Sequence, residues 1–220
     1  MPLYNPPATI ISNDLPIALT SGLYEIITTE LGVTDLISEN SINVSKIAVR
    51  DTFTRANSTA SPGSAETGQV WQVGSGTWGI DTNMAYLSSL VNINYDRMLV
   101  DSGIANAIIT VKIAVHVITN ISRVWIRAVD ASNFLVVNAA SDYKLYRVLN
   151  NVTTQIGSYA GTPASGNVVK ITAKGSAVKV YVNGIERISV IETANQNATM
   201  HGLSANNIAT RFDNFKVEVF

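Results

Sequence analysis

The stretch KVYVNGIERISVI, at residues 179–191, carries the clearest structural signal in the chain. Its dipeptide Asn183-Gly184 suits a two-residue type I′ hairpin turn, because both central residues of that turn adopt a positive φ. Before the turn, Val178, Val180 and Val182 alternate with polar neighbours, so one face of that strand is apolar. We therefore predict an antiparallel hairpin whose apolar face packs on a core.

The same two-residue alternation recurs on both sides of the hairpin. It is present in IITVKIAVHVI at 108–118, in RVWIRAV at 123–129 and in the closing RFDNFKVEVF at 211–220. Short strands with turn signals every 8–12 residues or so are typical of a sandwich or barrel. Two packed sheets hold about a dozen short strands more easily than one open sheet. The sequence therefore predicts an all-β fold, a two-sheet antiparallel jelly-roll sandwich.

The first 47 residues differ from the rest. They contain five acidic residues against a single basic one, Lys46, and four prolines within the first sixteen positions. Proline lacks an N–H donor and favours extended backbone. We predict an extended N-terminal arm over 1–47, for anchoring or oligomerisation, and one β domain over 48–220. The arm either docks on another protein or packs on its own domain as an edge strand, and the sequence leaves both open.

The composition excludes several classes of function. The net charge is −1 and only 14% of the residues are charged, against about a quarter in typical soluble proteins. No basic stripe carries interleaved aromatics, so we expect no nucleic-acid partner. The longest apolar run, Ile108 to Ile118, is interrupted by Lys112 and His116 and is too short for a membrane helix, so we expect no membrane partner. There is no cysteine, which excludes disulfides and thiolate metal sites.

No catalytic residues are predicted. Hydrolysis of glycosides needs two carboxyl groups about 5–9.5 Å apart. Glu186 and Glu192 share a face of a regular strand, but six residues separate them by roughly 20 Å. The two histidines, His116 and His201, lie in no zinc or triad motif. Carboxylates that meet across strands remain an open alternative.

No cofactor or metal site is predicted either, although calcium is left open. Calcium binds oxygen ligands, and Asp130, Asp142 and the pair Asp213-Asn214 lie at turn or strand-edge positions. Asp and Asn are common at such positions because they stabilise turns. We therefore assign no calcium ligands.

One set of side chains is a candidate sugar site. Trp125 and Arg127 share a face if their strand is regular, and so do Tyr143 and Arg147. Together these four could stack on a sugar ring and bond its hydroxyl groups. The alternative is that Trp125 belongs to the core and the arginines cover the sheet edges.

Three segments resemble a known family. They are DTFTRANSTASPGSAETGQVWQVGSGTWGI at 51–80, KVYVNGIERISV at 179–190 and HGLSANNIATRFDNFKVE at 201–218. With the strands between them, they resemble the concanavalin A-like (laminin-G-like) jelly-roll domains of phage virion proteins and bacterial surface proteins. The resemblance covers about residues 48–220 and implies that the closing segment returns beside the opening one. This fold hosts lectins, enzymes and structural modules, so the resemblance assigns no residue a role.

The opening MPLYNPP resembles the short N-termini of tailed-bacteriophage structural proteins. That resemblance implies a virion location, attachment to a partner such as the capsid protein through residues 1–47, and a homo-oligomer, by analogy a trimer. Our first hypothesis is a non-enzymatic virion structural protein, either a capsid decoration (cement) protein or a fibre. The second is a glycan-binding module for receptor recognition or adhesion, with host surface glycans as partners. A polysaccharide hydrolase is the least supported.

Overall fold

The computed structural model describes residues 24–26, 44–92, 96–118 and 120–220. Regular structure within these ranges is entirely β, and they contain no helix that could cross a membrane. The strands are β1 (Tyr24–Ile26), β2 (Val44–Asp51), β3 (Gln72–Ser75), β4 (Thr77–Asp81), β5 (Met84–Ser89), β6 (Arg97–Asp101), β7 (Ala107–Val115), β8 (Ser122–Ala128), β9 (Phe134–Ala139), β10 (Tyr143–Leu149), β11 (Val152–Tyr159), β12 (Val168–Lys174), β13 (Ala177–Val182), β14 (Ile185–Ile191), β15 (Met200–Ala205) and β16 (Arg211–Val219).

These strands form two antiparallel sheets. The nine-stranded sheet has the order β1-β2-β16-β7-β12-β13-β14, with β5 pairing with β16 and β4 with β5. The seven-stranded sheet has the order β11-β10-β9-β8-β15-β6-β3. The closing strand β16 lies between β2 and β7, so the end of the chain returns beside the strand that opens the sandwich. The predicted all-β sandwich is confirmed.

The predicted hairpin is also confirmed. Strands β13 and β14 pair through Asn183 and Gly184, whose φ angles are 50° and 81°. The apolar side chains of β13 point into the sandwich, where Val178 and Val180 are fully buried. This is the arrangement that the alternation of the segment predicts, because successive side chains of a strand point to opposite faces.

The main core lies between the two sheets. Its largest fully buried apolar side chains include Trp78, Phe212 and Phe215, and both sheets contribute to it. Burying one such side chain stabilises the fold by about 1.5–3 kcal/mol. A core of this size explains how the domain folds without a single disulfide.

Part of the N-terminal arm packs on the sandwich. Strand β1 pairs antiparallel with β2 at the edge of the nine-stranded sheet, with Tyr24 opposite Lys46. For these three residues the structure has the edge-strand arrangement. Strand β2 begins at Val44, so the strand crosses the predicted boundary at residue 47. Residues 1–23 and 27–43 lie outside the described residues, and the arm as an anchor stays a prediction.

A buried carboxylate fixes the loop that follows β2. Both oxygens of Asp51 accept hydrogen bonds from the guanidinium of Arg55, at 2.9 and 2.7 Å. The indole N–H of Trp71 donates to Asp51 Oδ2 at 2.7 Å, and the backbone N–H of Phe53 donates to Oδ1 at 2.7 Å. Asp51 itself has no exposed surface. One side chain therefore ties together a strand end, a loop and a core tryptophan.

Candidate functional site

A β-bulge in β8 decides where the predicted sugar-site residues lie. Opposite the single residue His201 of β15, strand β8 has two residues, Ile126 and Arg127, and the pairing shifts by one position there. Arg127 has a φ of 49°. A bulge inserts one extra residue and so reverses the alternation of side chains beyond it. The prediction that Trp125 and Arg127 share a face is therefore wrong.

Arg127 is buried between the two sheets. Its Nε donates to the carbonyl of Ala105 at 3.2 Å and its Nη1 to the carbonyl of Gly175, in the turn between β12 and β13, at 2.8 Å. Its side chain thus links the seven-stranded sheet to a turn of the other sheet. Burial lowers the pKa of this guanidinium. A side chain in this position contributes to the interior and not to a surface for sugars.

Tyr143 and Arg147 share a face as predicted, but it is the inner face of β10. Tyr143 belongs to the main core, and its hydroxyl donates to Asn167 Oδ1 at 2.7 Å. Burial raises the pKa of Tyr143 to about 12. Arg147 pairs with Glu192, whose Oε2 lies 3.4 Å from Nη1. The four predicted side chains are therefore not brought together into one exposed patch.

Trp125 alone of the four faces outward from the seven-stranded sheet. It belongs to a second, smaller hydrophobic cluster, here called the outer cluster, which consists of Leu99, Trp125, Ala128, Phe134, Val136 and Val148. The rings of Trp125 and Phe134 stack with their centroids 3.6 Å apart, and the Arg97 guanidinium lies 5.3 Å from the Trp125 ring centroid. Trp125 is only 1% exposed. Trp125 is thus buried, as the alternative that assigned it to the core predicted. It lies, however, in a cluster on the outer face of the sheet and not in the main core between the sheets.

Four members of the outer cluster, Trp125, Phe134, Val136 and Val148, form the floor of a depression of about 250 Å³, here called the outer groove. Polar and aromatic side chains of β8 to β11 line its walls. The lining residues are Arg123, Trp125, Phe134, Val136, Asn138, Tyr146, Val148 and Thr153. An apolar floor with a few converging polar groups is the usual composition of a small-molecule site.

Trp125 and Asn138, which both line the outer groove, each have a buried polar atom without a hydrogen-bond partner. These atoms are the indole Nε1 of Trp125, a donor, and the Oδ1 of Asn138, an acceptor. Buried polar atoms in proteins are nearly always paired, because an unpaired one costs about 1–3 kcal/mol. A ligand or water molecule that both donates and accepts hydrogen bonds would satisfy the two atoms.

The outer face of the nine-stranded sheet has another depression, of about 290 Å³, between Arg50, Lys112 and Lys216. Two of these cations already have acidic partners, since Arg50 pairs with Glu66 and Lys216 with Glu218. This depression has no aromatic floor apart from the core residue Phe215. The outer groove is therefore the better candidate site.

Asp130, one of the aspartates considered for calcium, stabilises a local turn. The carboxylate of Asp130 accepts hydrogen bonds from the backbone N–H of Ser132 and the side chain of Asn133. The hydrogen bond from Ser132 is the main reason why the pKa of Asp130 is lowered. Among the described residues, no three His, Cys, Asp or Glu side chains lie close enough to hold a metal ion.

The buried histidine His201 makes the fold sensitive to acid. Its Nε2 lies 3.1 Å from the carbonyl of Ile104, and its Nδ1 accepts the backbone N–H of Arg127 at 3.3 Å, which fits a neutral ring protonated at Nε2. Burial lowers its pKa to about 4, and the positive charge of Arg127 acts in the same direction while Asp101 opposes it. In the unfolded chain the pKa of this histidine is near 6.5. Between pH 4 and pH 6.5 the unfolded chain therefore binds more protons than the folded protein, so stability falls as the pH falls.

We expect the free energy of unfolding to drop by about 3 kcal/mol between pH 6.5 and pH 4. Urea titrations at a series of pH values would measure this drop. The control is His201→Gln, which keeps an N–H donor for Ile104 but cannot titrate. His116 remains in that variant, and its pKa is also lowered by burial, so a smaller drop is expected to remain. An equal drop in both proteins would contradict the assignment to His201.

Comparison with known proteins finds similar β-sandwich folds among solved structures. No family model and no curated protein matches the chain. A carbohydrate-binding module from Bacillus subtilis superposes with a TM-score of 0.52 at 16% identity, over 67% of this chain and 94% of that one. Domain 4 of an extracellular arabinanase from Geobacillus stearothermophilus, solved with arabinotriose, has a TM-score of 0.50 at 10% identity, over 80% and 93%.

A third structure comes from a study of endo-acting O-glycanases that prominent members of the human gut microbiota express to initiate mucin breakdown. It has a TM-score of 0.55 at 7% identity and covers 79% of this chain and 99% of that one. At such identities the similarity shows the fold alone. The chain has the jelly-roll sandwich of carbohydrate-binding modules and glycosidases.

Proposed function

We propose that this protein is a non-catalytic carbohydrate-binding module that holds a glycan in the outer groove. The observation that carries the proposal is the pair of buried, unpaired polar atoms on an aromatic floor, Trp125 Nε1 and Asn138 Oδ1. A sugar hydroxyl both donates and accepts hydrogen bonds, so neighbouring hydroxyl groups of one ring suit a donor and an acceptor of this kind. The apolar face of the ring suits the surrounding hydrophobic side chains.

The aromatic side chain that suits stacking on a sugar is Tyr146. Trp125 is almost completely buried, with Phe134 stacked on its ring and the Arg97 guanidinium 5.3 Å from the ring centroid. Tyr146 lines the outer groove and is partly exposed. It lies in one row across the sheet with Val136 and Trp125, since Tyr146 and Trp125 both pair with Val136. Thr153, on the next strand, adds a hydroxyl to the wall.

Two further points support a binding role without catalysis. None of the described residues that line the outer groove is Asp or Glu, and hydrolysis of glycosides ordinarily needs two such residues. The jelly-roll fold is shared with a carbohydrate-binding module and with an arabinanase domain whose structure holds arabinotriose. That fold is compatible with a glycan ligand, and the groove supplies the site.

Tyr146→Ala tests the proposal. We expect it to weaken binding of the best ligand from a glycan array about tenfold, because the partly exposed ring supplies apolar contact to the sugar. Isothermal titration calorimetry would measure the affinity. The matched control is Tyr181→Ala on the outer face of the nine-stranded sheet, where the tyrosine is also partly exposed and bonds Glu186. Equal affinities of the two variants would place the binding site elsewhere, and a protein that binds no glycan would contradict the proposal.

The virion hypothesis stays a prediction. It rests on the resemblance of residues 51–80, 179–190 and 201–218 and of the opening MPLYNPP to phage virion proteins. It is compatible with glycan binding, since a fibre that displays this module would use the outer groove on host surface glycans. Attachment to a capsid protein through residues 1–47 and a trimeric assembly stay predictions in the same way.

A further inference from the structure

We propose that the outer groove selects acidic glycans, whose carboxylate or sulfate groups bind at its cationic end. This inference rests on the proposed function and specifies its ligand. The charges of the groove motivate it. Arg123 is the one charged residue among the described lining residues, and no acidic side chain lines the groove. An anionic sugar would therefore meet a positive charge and no repulsion from the groove lining.

The strand register places a second cation beside the groove. Asn138 of β9 lies opposite Arg123 of β8 on one side and opposite Lys144 of β10 on the other. Residues directly opposite in antiparallel strands point to the same face, with Cβ atoms about 4.5–5.5 Å apart. Arg123, Asn138 and Lys144 thus form a row across the outer face, here called the cationic row. Two positive side chains flank the amide whose Oδ1 is unpaired.

The chemistry of the cationic row suits an oxyanion. A guanidinium binds a carboxylate or sulfate through two parallel hydrogen bonds, and such charge-assisted bonds are stronger than neutral ones. The Nζ of Lys144 lies 3.3 Å from Oδ2 of Asp142, and this pair is partly exposed. Because exposed pairs of this kind are weak, the ammonium remains able to contact a ligand anion.

The position of the cationic row relative to Tyr146 suits a sugar acid. The row of Trp125, Val136 and Tyr146 is parallel to the cationic row and lies two residues away from it on each of the three strands. Two residues of a strand correspond to about 7 Å. A sugar ring that stacks on Tyr146 would therefore direct an acidic substituent towards Arg123 and Lys144. A neutral sugar of the same shape would leave the cationic row without this contact.

An array of matched glycans tests the inference. Galactan, glucan, mannan and xylan oligosaccharides are each compared with their uronate-bearing and sulfated counterparts, and with the methyl esters of the uronates. We expect the acidic members to bind at least about tenfold tighter than their neutral counterparts. The preference should shrink as salt is added, because part of the attraction is between charges near the surface. Binding of the uronates alone or of the sulfated glycans alone identifies which anion is recognised, and either result supports the inference.

Two variants connect the preference to the cationic row. Lys144→Gln should reduce the preference for the acidic members several-fold while keeping binding to neutral ones, because Lys144 lies beside the groove and not in its lining. Arg123→Gln should also reduce the preference several-fold. Lys144 is partly exposed, so that variant is expected to fold even if the buried Arg123 proves necessary for folding. The control Arg50→Gln removes the same charge from the opposite face of the molecule. Equal binding of acidic and neutral members would overturn the inference and leave the proposed function standing, whereas no binding to any member would overturn both.

Discussion

Asp51→Ala is expected to lower the free energy of unfolding by about 3–5 kcal/mol, a large fraction of the stability of a domain. The substitution removes the acceptor from Arg55, from the Trp71 indole and from the Phe53 backbone at once. Trp71 is buried, so its N–H cannot turn to water without moving the core. Breaking a buried charge network costs more than an exposed pair because the remaining groups keep their desolvation cost.

Urea unfolding followed by tryptophan fluorescence and far-UV circular dichroism would measure the effect of Asp51→Ala. The control is Glu186→Ala, which also removes one carboxylate and one ion pair, but from the partly exposed pair with Lys179. We expect the control to unfold at nearly the same urea concentration as the unchanged protein. If Asp51→Ala behaved like this control, the network around Asp51 would not stabilise the loop.

Trp125→Ala is expected to have an effect of similar size, a loss of about 3–5 kcal/mol, because it opens a cavity in the outer cluster. The indole is almost completely buried and stacks on Phe134. The variant Trp125→Phe should recover part of the loss, since a smaller ring still stacks. Ile191→Ala, which removes apolar atoms from a side chain that is 76% exposed, is the control and should change little.

The Trp125 result also decides how glycan binding has to be tested. A variant that loses several kcal/mol would lose ligand affinity through unfolding as well as through lost contacts. Tyr146→Ala is the sharper probe because its ring is partly exposed on the groove wall. If Trp125→Ala folded with unchanged stability, the outer cluster would not be a core, and the ring of Trp125 would become a candidate stacking surface for sugar.

The sequence predicted the features that depend on local patterns. The Asn183-Gly184 turn has a specific backbone requirement, and the structure has positive φ angles at both residues. The alternation in β13 predicted the buried face of that strand. The bulge at Arg127 has no comparable signal, because arginine is not a residue that a positive φ selects. Its side chain therefore lies on the face opposite to the prediction.

The candidate site was only partly predictable. Alternation places Tyr143 and Arg147 on one face but does not say whether that face is inside or outside. Trp125 was identified as a candidate, but Phe134, Val136 and Val148 were missed. A usable signal existed in the run FLVV at residues 134–137, since a continuous apolar run indicates a strand that is buried on both faces. Two partners of Asp51, Phe53 and Arg55, are close in sequence, but Trp71 is 20 residues away, and local patterns do not contain that relation.

The edge position of β1 has a consequence for how the module is displayed. The described chain enters the sandwich through the nine-stranded sheet, whereas the outer groove opens on the far side of the other sheet. The strand by which the described chain enters and the proposed ligand surface thus belong to different sheets. Copies tethered by their N-terminal ends to one support would therefore be free to present their grooves away from it. If the outer groove binds glycans as proposed, such an array would engage a polysaccharide with repeating units at several points, and each bound copy would raise the local concentration of ligand for its neighbours. Weak single sites would then suffice for firm attachment.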